Sequence, residues 1–176
     1  ATVSCDLNFR KKLWSWDPAQ KPQALAEATM RGLLKFVDVV VANEEDCGDV
    51  LRIRAGASDV HAGKLEIARY ADVAQQVAGQ FPQVSLVAIT LRESFSASHN
   101  NWGAMLYVAK DNQAHFAPLA DGQYKPYEIR DIVDRVGGGD AFARLLADAI
   151  DPLGDPLHRR LHLVKCILLR RELAHR

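Results

Sequence analysis

"VDVVVANEEDCGDVL", residues 37–51, carries the pattern that sets the fold class. Val37–Val41 is a short apolar run broken once, at Asp38, as expected of a strand buried on both faces of a parallel sheet. A helical segment then runs from about Glu44 to Leu51, so strand passes to helix within a few residues. Upstream, "PQALAEATMRGLLKFV" (22–37) repeats apolar residues at helical spacing, with Leu25, Ala28, Met30 or Leu33, and Phe36 or Val37 on one side. Before it, "ATVSCDLNF" (1–9) alternates, placing Val3, Cys5, Leu7 and Phe9 on one strand face, and Pro18 and Pro22 punctuate the loop between. A core strand as the very first element is what a piece of a longer protein would show.

Downstream, "LEIARYADVAQQVAGQF" (65–81) gives a helix with Ile67, Tyr70, Ala71, Val73 or Ala74, and Val77 inward, ended by Gly79 and Pro82. "VSLVAITLR" (84–92) is the next buried strand. "WGAMLYVAK" and "QAHFAPL" read as two antiparallel strands joined at Asp111 and Asn112. The stretches "RIRAGASDVHAGK" and "LADGQYKPY" read as linkers. Strands alternating with helices predict an α/β fold with helices on both faces of a largely parallel sheet.

The chain has 176 residues, 48% hydrophobic and 25% charged, which suits one globular domain with a real core. Lys plus Arg and Asp plus Glu both total 22, so the overall charge gives no argument for nucleic acid or an anionic membrane as partner. Cys5, Cys47 and Cys166 lack metal-ligand spacing and are an odd set, which favours reduced thiols and a cytoplasmic setting. No stretch approaches the roughly 20 apolar residues of a membrane span, and no basic-then-apolar leader opens the chain. A soluble protein is expected.

Ligands in such sheets bind outside the carboxyl ends of the strands. The loops there read "DLNFR", "ANEED", "TLRES" and "VGGGDAF". Gly137, Gly138 and Gly139 each cost backbone entropy, so bare backbone is needed for something. A glycine run entering a helix lets successive N–H groups converge on an anion such as phosphate, with the helix dipole aiding. Asp140 beside it can cap the helix or face the ligand. Anion hole plus adjacent base is what phosphoryl transfer to an alcohol requires. The plainer reading is a turn followed by an N-cap. Neither the Walker A spacing nor the dinucleotide GxGxxG spacing is present.

Taken together, the four loops bear a family likeness. "VDRVGGGDAF" resembles the second signature of the ribokinase-like sugar kinases of the phosphofructokinase B type, and its Asp-Arg-Val looks most like that of 2-keto-3-deoxygluconate kinases. "SCDLNFRKKLW" is similar to the Asp-x-Asn-x-Arg-x-x-Leu-Trp stretch of those enzymes. "VVVANEEDC" sits where they carry Asn-Glu-Glu, and "VAITLRESFSASHNNWGAMLY" looks like their strand and nucleotide-facing loop. The resemblance implies a three-layer αβα fold, residues 1–150 being the C-terminal part of a sugar kinase domain. It implies ATP-dependent transfer to a hydroxyl of an acidic sugar, 2-keto-3-deoxygluconate giving its 6-phosphate, with ATP and Mg²⁺ as cofactors and neither nucleic acid nor membrane as partner.

Carried over residue by residue, Asp140 would be the base and Gly137, Gly138 and Gly139 the anion hole. Arg10, with Asn8, would reach the phosphates or the acidic sugar, since a guanidinium fork suits phosphate and carboxylate alike. Asn43 would lie by the nucleotide phosphates, and Thr90, Leu91 and Arg92 would line the nucleotide side. Glu45 and Asp46 would stand in an outer shell around Mg²⁺. Where the family pattern Asn-x-x-Glu has Glu, this chain has Asp46.

Bland readings stand beside these: Arg10 in a solvated basic turn with Lys11 and Lys12, Glu44 and Glu45 as first-turn helix residues, "SHNNW" as a polar hairpin loop, and Trp14, Trp16 and Trp102 as core or rim packing. Two departures matter. The family's chains are roughly twice this length, and the likeness places the missing half, with the lid through which such kinases commonly pair as homodimers, before Ala1. From Arg144 onward the small residues of the family are replaced, and residues 151–176 form a basic helical tail with Arg159, Arg160, Lys165, Arg170 and Arg171. The alternative function is a non-catalytic nucleotide-binding or scaffold domain of the same fold.

Overall fold

The computed structural model describes residues 2–55, 65–132, 141–144 and 146. The glycine segment 137–140 and the tail 151–176 lie outside them. The elements run β1 (Ser4–Asp6), α1 (Pro22–Leu33), a 3₁₀ turn (Leu34–Phe36), β2 (Val39–Ala42), α2 (Glu44–Leu51), α3 (Leu65–Gln80), β3 (Leu86–Ser94), β4 (Asn100–Val108), a 3₁₀ turn (Ala109–Asp111), β5 (Gln113–Ala117), β6 (Leu119–Ala120), β7 (Gln123–Tyr124) and β8 (Tyr127–Ile129). The main sheet is mixed, in the order β1-β2-β3-β4-β5 with β8 beside β4. The chain divides into two compact units, one of residues 1–91 and 105–115, the other of 92–104 and 116–176.

In the first unit β1, β2 and β3 are parallel, Cys5 facing Val40 and Val40 facing Val87. All four residues of β2 are buried, which accounts for a strand apolar on both sides. Successive strands are added in one direction, so right-handed crossovers put α1, α2 and α3 on the same face. They meet at Arg31. Its guanidinium donates to Glu27 (3.1 Å), to Gln80 of α3 (2.9 Å) and to the Leu51 carbonyl closing α2 (2.6 Å), and lies 5.7 Å from the centre of the Phe81 ring. Leu34, Val50, Leu51, Val73, Val77 and Ile89 fill the interior between helices and sheet. Each such side chain contributes about 1.5–3 kcal/mol by leaving water.

Four expectations are corrected. The inward face of α1 is Leu25, Ala26 and Met30, followed by Leu34 and Val37, whereas Ala28 is exposed and Leu33 and Phe36 are 50% and 73% exposed. The change to 3₁₀ winding at Leu34 tightens the turn and swings Phe36 outward. The first strand is only three residues long, because Asn8 adopts a left-handed φ of 29° and bends the chain out of the sheet. Gly79 lies inside α3 rather than ending it. Trp16 packs nothing away: it is 66% exposed.

In the second unit β8 pairs antiparallel with the start of β4, Asn100 facing Ile129 and Trp102 facing Tyr127. Residues 119–127, expected as a linker, are structured. β6 and β7 form a ladder closed by Asp121 and Gly122, at φ 52° and 75°, the two left-handed residues that a tight hairpin demands. Tyr124 of that hairpin covers the bare Cα of Gly103. The Trp102 ring meets the edge of Phe142, 6.2 Å between centres and 82° between planes, at the helical residues 141–144.

Candidate active site

The parallel register sets the level of three predicted loops. Leu7 donates its N–H to Val41 O (2.9 Å), so the chain leaves β1 at the carboxyl end of β2. Ala42 faces Ile89, which puts Asn43 and Thr90 at the same level on neighbouring strands. "DLNFR", "ANEED" and the start of "TLRES" therefore emerge at one edge, where a parallel sheet binds its ligands.

The tie between the first two loops is a backbone contact. Phe9 donates its N–H to Asp46 Oδ1 at 2.9 Å, and Asn43 Oδ1 accepts the N–H of Asp46 at 2.7 Å as the N-cap of α2. Asn8 and Arg10 flank the bonded residue, and both are exposed. The loop carrying Arg10 is thus anchored to the first turn of α2 by a carboxylate. Half-buried Asp46 has its pKa raised, with burial the leading cause, although the N–H groups of Phe9 and Asn43's backbone and the Arg10 charge pull the other way. Asp46 is a fixed acceptor here, and Glu45 beside it is exposed.

The other predicted residues divide. Thr90 is half-buried on β3, and Arg92 is exposed. Leu91 is 5% exposed, its side chain packed into the core. Gly137, Gly138, Gly139 and Asp140 lie outside the described residues. Among the described residues no group of three or more His, Cys, Asp and Glu side chains could hold a metal ion.

Sequence reasoning missed two features. Contact between Phe9 and Asp46 spans 37 residues and has no local signal. In the second unit, His99 Nε2 lies 2.8 Å from Glu128 Oε1, and Arg130 donates to the same oxygen at 2.6 Å. His99 therefore belongs to an ionic cluster and not simply to a polar hairpin loop.

No family model and no curated protein matches the chain by sequence. Solved structures do. A 2-dehydro-3-deoxygluconokinase from Thermotoga maritima superposes with a TM-score of 0.70 at 35% identity, over 94% of this chain and 44% of that one. A PfkB family carbohydrate kinase from Listeria grayi gives 0.64 at 26% identity, over 88% and 39%. These two structural neighbours are PfkB-family carbohydrate kinases. A pyridoxal kinase from Leishmania donovani, in complex with ADP and pyridoxamine, shares the fold alone, with a TM-score of 0.54 at 18% identity. The chain spans less than half the length of the two carbohydrate kinases it matches. Likeness to these two kinases covers most of this chain.

Proposed function

We propose that the chain is the C-terminal part of an ATP-dependent sugar kinase whose acceptor is 2-keto-3-deoxygluconate. The observation that carries this is 35% identity to a 2-dehydro-3-deoxygluconokinase across 94% of the chain. Convergence of "DLNFR", "ANEED" and "TLRES" at one edge supports it.

In this reading the sugar hydroxyl oxygen attacks the γ-phosphorus of ATP, its proton passes to the Asp140 carboxylate, and ADP leaves. Backbone N–H groups of Gly137, Gly138 and Gly139 stabilise charge on the moving phosphoryl group. Arg10, carried on the loop that Asp46 anchors, binds the phosphates or the sugar carboxylate. Magnesium, when bound with the nucleotide, neutralises phosphate oxygens. It keeps several waters and needs few protein ligands, so Glu45 and Asp46 fit an outer-shell place despite the lack of a three-residue cluster among the described residues. A cytoplasmic setting and a homodimer of the full-length protein belong to the same proposal. Among the described residues, Cys5 and Cys47 form no disulfide, which accords with the former.

The second reading is a nucleotide-binding domain of the same fold without turnover. ADP release coupled to 2-keto-3-deoxygluconate separates the two, measured on the chain alone and on the chain extended by its upstream coding sequence. Turnover that Asp140→Asn lowers by roughly 10²–10⁴-fold supports the kinase, that being the usual contribution of a general base. ATP binding with no turnover in the extended protein supports the second reading and refutes the first.

A further inference from the structure

Residues 8–20 run from the carboxyl end of β1 toward α1, and their hold on the rest of the first unit is slight. Among the described residues, the hydrogen bonds of this loop are local with one exception. Leu13 donates its N–H to Arg10 O at 2.8 Å, and Ser15 Oγ donates to Lys11 O at 3.1 Å. The Asp17 carboxylate takes the Ala19 N–H at 2.9 Å and the Gln20 side-chain amide at 2.7 Å. The exception is the 2.9 Å bond from the Phe9 N–H to Asp46 Oδ1, across 37 positions of sequence.

Arg10 stands between that bond and the turn closed by Leu13, so its backbone is held from both sides while its side chain is exposed. Asn8, just before, keeps a left-handed φ of 29°, a conformation that a non-glycine residue holds only where its surroundings impose it. Asp46 is itself fixed, because its N–H goes to Asn43 Oδ1 at 2.7 Å and so to the residue that follows β2. A chain of short bonds thus leads from the sheet to the base of an exposed guanidinium. Such placement matters in phosphoryl transfer, where a misplacement of about 1 Å can cost 10²-fold in rate.

We propose that Asp46 is a positioning residue: by holding the Phe9 amide it sets where Arg10 meets an anionic group of the substrates, and its main contribution to turnover runs through that arginine. The role rests on the kinase reading above, and two measurements keep the failures apart. The first is amide hydrogen exchange on the 176-residue chain. Asp46→Ala should speed exchange at Phe9 about tenfold and leave the Val40 and Val87 amides unchanged. Asp46→Asn, whose amide oxygen accepts the same bond, should keep most of the protection. The second is steady-state kinetics on the form that turns over. Asp46→Ala should lower kcat/KM about tenfold, and Asp46→Asn less than about twofold. Added to Arg10→Ala, the change Asp46→Ala should cost less than about twofold more, because the two residues act through one interaction. One KM should rise in both single alanine variants, that of ATP where Arg10 holds phosphate and that of 2-keto-3-deoxygluconate where it holds the carboxylate.

Unchanged exchange at Phe9, or faster exchange spread equally over β2 and β3, overturns the proposal while the kinase reading stands. Losses from Asp46→Ala and Arg10→Ala that add, or that raise different KM values, overturn it too. An Asp46→Asn protein that is slow and needs more magnesium gives the carboxylate to the metal instead, and it decides the matter even where Asp46→Ala is too unstable to assay. A wild-type protein that transfers no phosphoryl group even when extended overturns the kinase reading and this role with it.

Discussion

Replacing Asp46 by Asn or Leu separates two effects that the wild-type side chain combines. Its Oδ1 receives the Phe9 N–H at 2.9 Å, and burial disfavours its charge. Leu leaves a part-buried N–H without a partner, and loss of a hydrogen bond to a charged group costs about 1.5–3 kcal/mol. Asn keeps an amide oxygen in the same place and removes the poorly solvated charge, so its net effect should fall within about 1 kcal/mol of zero. Urea unfolding followed by tryptophan fluorescence reads both: Asp46→Leu should lower the midpoint at unchanged m, and Asp46→Asn should barely move it.

The sign with pH follows from the raised pKa. Stability associated with protonated Asp46 is fully present below the unfolded-state value and is lost as pH rises through the folded one. Asp46→Asn should therefore compare more favourably with wild type at pH 7 than near pH 4. An Asp46→Asn protein as unstable as Asp46→Leu would refute the reasoning, since the charge and not the acceptor would then be what holds Phe9.

Gly103→Ala places a Cβ 2.9 Å from Ala117 O and against the Tyr124 ring, so it should cost about 1–3 kcal/mol in thermal unfolding. Gly79→Ala, in α3 with nothing within 4 Å, should instead stabilise by about 0.5–1 kcal/mol. Glu128 and Asp38 both have lowered pKa values, the first chiefly through Arg130 and then His99, the second chiefly through the Val3 N–H and then Gln83. Their contributions are present above the unfolded-state values and are lost as pH falls through the folded ones, so NMR titration of both carboxyls should show midpoints below the usual carboxylate range of about 4.

What was legible in the sequence was what has a period. Val37–Val41 announced β2, the segment 44–51 announced α2, and Val73, Ala74 and Val77 gave the buried side of α3. Periodicity failed at α1, where 3₁₀ winding shifted the phase and left Phe36 in water. It was silent for β6 and β7, since two residues cannot show alternation; Asp121-Gly122 was the available hint. At the site, residue types in the loops pointed to one sheet edge, and the register of β1, β2 and β3 put three of them there. The Asp46 tether and the Glu128 cluster were not legible, because each joins residues 29 or 37 positions apart through hydrogen-bond geometry.

The division into two units does not follow the order of the chain, since the backbone passes between them at residues 91–92, 104–105 and 115–116, within β3, β4 and β5. No single proteolytic nick can release either unit, because two covalent crossings remain after any one is cut. A gene truncated at residue 91 would likewise make a first unit deprived of residues 105–115. Engineers wishing to separate the halves would have to splice, not cut.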